Sequence, residues 1–280
     1  MATAQSPDGC MLAWTEKGTG PPILLIHGFA SMVRRNWEGT GWMDALTRAG
    51  YRAIAYDQRG HGYSDKRYDP ADYAPERLVD DALAVLDAAG AARAAVMGYS
   101  MGARVALEVA LTHGERENAL ILSGIGPRMR DFGGSGDRER PGTGESAGVG
   151  AGFLRSRSVP ERDERELVAL ALEADDPSPF PASARFYRTF AEQNHQDRRA
   201  LAACWRRPIR AVTADDLASI AAPTLITVGD RDTVAGDAAP LAKAIPGAEL
   251  VVLHGKDHMT AVGAKQHREA VIAFLHKSLH

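Results

Sequence analysis

The sequence predicts an α/β protein: a doubly wound, mostly parallel sheet interrupted by one helical insertion. Three observations predict it. Short runs rich in Ile, Val and Leu show little polar alternation, as strands do when helices cover both faces of a sheet. Helical patterns separate these runs, and strand–helix alternation builds parallel sheets. The alternation then stops over residues 124–215 and resumes after them.

Taken in order, residues 10–15 form a first strand candidate, and residues 22–26 and 51–56 read as buried strands. Leu78, Ala82, Val85, Leu86 and Ala89 recur at helical spacing, and Gly90 ends the stripe. A strand over 94–97 leads into a helix over 101–112, and residues 119–122 form the next strand. Beyond the insertion come strands over 223–228 and 249–253 and a terminal helix over 261–279. The expected organisation is a core domain of residues 1–123 and 216–280 carrying a cap of residues 124–215. Eight glycines between Gly133 and Gly152 mark an expected mobile flap, followed by helical patterns over 161–173 and 182–192.

Composition bounds the function. The chain has 280 residues, 45% hydrophobic and 25% charged, which is ordinary globular usage. Its net charge of −3 carries no basic excess for nucleic acid or an anionic membrane. The insertion holds fifteen arginines and no lysine, but fourteen acids offset them. Cys10 and Cys204 match no disulfide framework or zinc spacing. No apolar run approaches the roughly 18 residues of a membrane span, and no leader pattern opens the chain. The expectation is a cytoplasmic protein with no metal, no cofactor and no nucleic-acid or membrane partner; the sequence leaves its oligomeric state open.

The chemistry concentrates at three places. Gly98-Tyr99-Ser100-Met101-Gly102 fits G-x-S-x-G and lies between a strand and a helix, where a sharp turn exposes a serine. Serine needs a base, and the base needs an acid to hold it. His258 follows the strand 249–253 and Asp232 follows the strand 223–228, each at the carboxyl end where ligands bind; His254 and Asp230 are the nearest rivals. An oxyanion needs two donors. Met101 N–H and Phe29 N–H are the candidates, the second aimed by a turn at Gly28, with His27 bracing the loop.

His27-Gly28-Phe29, the run Asp57-Gln58-Arg59-Gly60-His61-Gly62-Tyr63-Ser64, the serine turn, Gly229-x-x-Asp232 and His258, in this order, resemble the α/β-hydrolase superfamily. The resemblance covers residues from about 10 to 123 and 216 to 280 and is to the serine-nucleophile, esterase/lactonase-like branch. It implies the α/β-hydrolase fold, a structural role for the 57–64 run, and a catalytic triad of Ser100, Asp232 and His258. The dehalogenase and epoxide-hydrolase branches carry aspartate where this chain has Ser100. The expected activity is hydrolysis of small-molecule esters or lactones through an acyl-enzyme. A carbon–carbon bond hydrolase or lyase, a small aminopeptidase and a non-enzymatic receptor remain open. Trp37, Phe153, Phe186, Tyr187, Phe190 and Trp205 are candidate substrate contacts, with Phe180 and Trp42 beside them.

Overall fold

The computed structural model describes residues 1–127 and 164–279. The expected flap at 133–152 and Phe153 lie outside the described residues.

Eight strands form one sheet in the order β1-β2-β4-β3-β5-β6-β7-β8. They are β1 (Ala2–Gln5), β2 (Met11–Lys17), β3 (Pro22–Ile26), β4 (Arg52–Tyr56), β5 (Ala94–Tyr99), β6 (Glu117–Ser123), β7 (Thr224–Gly229) and β8 (Glu249–Leu253). Pairs from β4 to β8 are parallel, while β1 and β2 add an antiparallel edge. The expected strand at 10–15 is β2, shifted outward, and β1 carried too little apolar pattern to be expected at all. β5 runs two residues past the expected 97, so Gly98 and Tyr99 belong to the strand rather than to the turn.

Uniformly apolar strands nevertheless sort their side chains at period two. Ile23, Leu25, Ala53, Ala55, Ala95, Met97 and Ile121 pack with α1 (Trp42–Arg48) and α9 (Lys265–Leu279). Leu24, Ile26, Ile54, Val96, Leu120, Leu122 and Ile226 pack on the other face with α2 (Pro75–Ala88) and α3 (Met101–His113). The connection after β3 leads to α1 and that after β5 leads to α3, so adjacent strands send their chains to opposite faces. That divergence opens a crevice at their carboxyl ends.

Between β6 and β7 the described chain forms α4 (Glu164–Glu173), α5 (Ala182–Gln193) and α6 (Arg198–Trp205). Val168, Ala169, Leu172, Ala191 and Leu201 from these helices pack onto Phe29, Ala30, Tyr73 and Met101. The short helices α7 (Ala214–Ala218) and α8 (Ala239–Ala244) return the chain to the sheet. The terminal helix begins at Lys265 rather than at the expected 261, because Ala261 is still in the turn that carries a buried histidine's acceptor.

That histidine, His267, is fully buried. Its Nδ1–H donates to the Ala261 carbonyl at 3.1 Å, and its Nε2 faces the Ser123 and Thr227 hydroxyls at 3.0 Å each. Burial lowers its pKa from the usual 6.5 to about 4. The unfolded chain therefore binds this proton first. Stability tied to His267 is complete above pH 6.5 and is lost as pH falls toward 4, about 2 kcal/mol of it by pH 5. His27 and His61, also lowered by burial, act in the same direction. Urea midpoints should fall between pH 7.5 and pH 5, and fall less in His267→Gln. Parallel behaviour of the two proteins would contradict a neutral imidazole here.

Candidate active site

Ser100 stands where β5 turns into α3, with φ 54° and ψ −117°. A non-glycine residue at such a positive φ stores about 1–3 kcal/mol, which its surroundings must hold. They do so by close backbone approach. A Cβ on Gly98 would sit 2.1 Å from the Gly102 carbonyl oxygen, and one on Gly102 would sit 2.1 Å from the Ile26 carbonyl oxygen. The Ser100 N–H donates to the Ser123 carbonyl at 2.8 Å, tying the turn to β6.

Three side chains meet there. Ser100 Oγ lies 2.9 Å from His258 Nε2, and His258 Nδ1 lies 2.7 Å from Asp232 Oδ2. The other Asp232 oxygen accepts the N–H groups of Val234 and Ala235 at 3.0 and 2.8 Å. Both carboxylate oxygens are therefore engaged, and the side chain is fully buried. A Cβ on Gly229 would meet the Lys256 carbonyl oxygen at 2.1 Å, so the acid and histidine loops can touch only over a glycine. The rivals pair elsewhere: Asp230 accepts from Gly255 N–H at 2.8 Å and faces the exposed His254 at 3.5 Å.

The donor loop after β3 is braced from beneath. Gln58 N–H donates to His27 Nε2 at 3.0 Å, which leaves Nδ1–H for the Gly28 carbonyl at 2.8 Å. Ala30 N–H donates to His61 Nε2 at 3.1 Å. Burial pushes both imidazoles below their ordinary pKa, so they hold the loop as neutral rings. Asp57 accepts Val33 N–H at 2.7 Å and Tyr63 N–H at 2.8 Å, and any Cβ on Gly62 would collide with that carboxylate. The expected turn residue was Gly28; the left-handed angle falls instead on Ala30, φ 55°. Phe29 N–H and Met101 N–H donate to no acceptor among the described residues.

Two contributors had no sequence signal. The Asn36 Oδ1 accepts Gly28 N–H at 3.2 Å, fixing the donor loop from a second side. The Tyr99 hydroxyl donates to the His258 carbonyl at 2.5 Å and anchors the histidine loop. An asparagine in a polar stretch and a tyrosine at a strand end look alike wherever they fall.

A chamber of about 720 Å³ opens over Ser100, within the range of small-molecule sites. Phe186, Tyr187, Phe190 and Trp205 line it, as do Phe29 and Met101. Their rings are continuous: Phe186 stacks on Phe190 at 6.1 Å, and Tyr187 contacts Trp205, which meets Phe29 edge-on at 4.7 Å. Phe180 packs partly buried among the α4–α6 side chains. Trp37 and Trp42, expected at the entrance, are fully buried instead. They pack edge-to-face at the start of α1, where their apolar area is removed from water. Among the described residues, no three His, Cys, Asp or Glu side chains converge as metal ligands, and no helix is long and apolar enough to cross a membrane.

A parallel α/β sheet with a hydroxyl, an imidazole and a carboxylate aligned at its carboxyl edge defines a recognisable class. The chain belongs to the alpha/beta hydrolase fold family, whose profile matches residues 21–262. Over 114 residues it is 37% identical to an epoxide hydrolase of Caballeronia sordidicola, a stretch covering 41% of this chain and 34% of that protein. The chain thus spans about a third of that relative's length. Over 273 residues it is 27% identical to a non-heme chloroperoxidase of Kitasatospora aureofaciens, covering 94% of each. Its structure is similar to that of a hydrolase from Pseudomonas aeruginosa PA01, with a TM-score of 0.72 and 27% identity over 98% of this chain and 97% of that one.

The close approach of α3 to β3 has a direct consequence. Gly102→Ala forces a methyl against the Ile26 and His27 carbonyls, and should cost about 1–3 kcal/mol of stability. Denaturant unfolding checks this; a stability equal to the wild type would contradict the packing.

Proposed function

We propose that the chain hydrolyses carboxylic esters or lactones of small molecules, with Ser100 as nucleophile. The observation that carries this reading is the unbroken chain from Ser100 Oγ to His258 to Asp232, 2.9 and 2.7 Å, at the floor of a chamber of about 720 Å³. Ser100 Oγ attacks the acyl carbon as its proton passes to His258 Nε2. Asp232 accepts from Nδ1–H, fixing the tautomer that leaves Nε2 basic and stabilising the imidazolium. Phe29 N–H and Met101 N–H receive the tetrahedral oxyanion, where preorganised donors are worth about 3 kcal/mol each. His258 then protonates the leaving alkoxide and next deprotonates a water, which releases the acid and restores Ser100.

The serine itself argues for a carbonyl substrate over an epoxide. A carboxylate that opens an epoxide leaves an ester, which water can cleave. A serine that did so would leave an ether, which this machinery has no means to break. The helices α4–α6 supply the aromatic wall from Phe186 to Trp205, and we read them as the cap that receives the acyl or alkoxy group.

Two substitutions test the roles. Ser100→Ala should lower kcat/KM for a 4-nitrophenyl ester by about 10⁴-fold or more while leaving the unfolding transition in place. Asp232→Asn is more diagnostic. The amide oxygen still accepts from Val234 and Ala235, so the amide nitrogen must face His258 Nδ1. The imidazole is forced into the tautomer with hydrogen on Nε2, and kcat should fall about 10⁴-fold. Retention of near-wild-type turnover by either folded variant would sink the assignment.

A further inference from the structure

Among the described residues, the chamber lining carries side-chain charge of one sign only. It contains Arg35, Arg165 and Arg207 and neither aspartate nor glutamate. Two consecutive residues show the contrast. Arg206 is taken up by Glu166 at 2.8 Å and Glu173 at 2.7 Å. Arg207 is half-buried, reaches the chamber beside Met101 and Trp205, and pairs with no carboxylate among the described residues. Arg207 Nη1 donates to the Cys204 carbonyl at 3.0 Å, and the Arg207 carbonyl accepts from Arg165 Nη2 at 2.6 Å. The Cys204 thiol in turn lies 3.7 Å from the Met101 sulfur, which locks this stretch onto the residue that follows Ser100.

A guanidinium fixed in this way keeps N–H donors for a ligand in a fork that matches a carboxylate. Partial burial strengthens the attraction, since the effective dielectric is lower than in water. Arg35 is exposed, and solvent screens it. We propose that the substrate is an ester or lactone that also carries a carboxylate, and that Arg207 receives that carboxylate. The proposal names the substrate class of the hydrolytic site and rests on that reading of Ser100. Arg207 is then a specificity-determining residue, while the aromatic wall accommodates the carbon chain between the two ends.

The test compares the 4-nitrophenyl monoester of glutaric acid with its methyl-capped diester, in which a methyl group replaces the charge, with release of 4-nitrophenol as the readout for both. The wild type should favour the free acid at least about tenfold in kcat/KM, mainly through KM, as expected for a charge-assisted pair. Arg207→Gln should bring the ratio to about one, Arg207→Lys should restore part of it, and Arg35→Gln should keep it. Collapse of the ratio in Arg35→Gln but not in Arg207→Gln would overturn the assignment. So would hydrolysis of both esters by the wild type at equal efficiency, a result that leaves the esterase reading intact. Conversely, full turnover by Ser100→Ala would defeat the esterase reading. Calorimetry with glutarate on Ser100→Ala is independent of turnover: binding should be seen and should be lost with Arg207→Gln added. Absence of binding, or binding indifferent to Arg207, would overturn the proposal whatever the ester assays give.

Discussion

Ser100 occupies a backbone angle that only its neighbours make tenable, and the rest of the site is arranged around that constraint. Two glycines let β5, α3 and the end of β3 approach until no Cβ would fit between them. The same approach sets the serine at the amino end of α3, with Met101 N–H beside it and the β3 loop within reach. Because adjacent β3 and β5 send their chains to opposite faces, the crevice above them is left clear for a ligand. Strain at one residue and access at the edge are thus two results of one packing arrangement.

The loop after β3 depends on a second layer of side chains beneath it. Arg59 is fully buried between Asp81 and Asp8, and its partners hold the 57–64 run in place. From that run, Asp57 and His61 reach the loop amides, while Asn36 reaches Gly28 from the other side. Burial keeps His27 and His61 neutral, so each ring has one acceptor and one donor nitrogen to offer. The α4–α6 helices then pack over Phe29 and Met101.

Much of this was legible from residue types alone, for reasons specific to each element. Buried parallel strands read as apolar runs, and Gly98, Ser100 and Gly102 at fixed spacing admit few structures besides a tight strand-to-helix turn. Asp232 and His258 stand out in the sequence because strand ends are where such a sheet binds ligands, and the fold brings the two side chains to 2.7 Å. Other features had no one-dimensional signature. Trp37 and Trp42 follow the donor loop, but an indole suits a core as well as an entrance, and only packing against α9 decides. Ala30 takes the left-handed angle because His61 and the loop fix its amide, a cause lying 31 residues away in sequence. Arg206 and Arg207 are identical neighbours until the fold gives one of them two glutamates and the other, among the described residues, none.

The central claim is that Ser100 carries the acyl group during turnover. Its most direct test is mass spectrometry of the intact wild-type protein, acid-quenched during the burst with a 4-nitrophenyl ester and then mapped by peptide. The account predicts a single adduct of the acyl mass on the peptide containing Ser100, absent from Ser100→Ala. An adduct on another residue, or steady turnover accompanied by a burst with no covalent species, would contradict it.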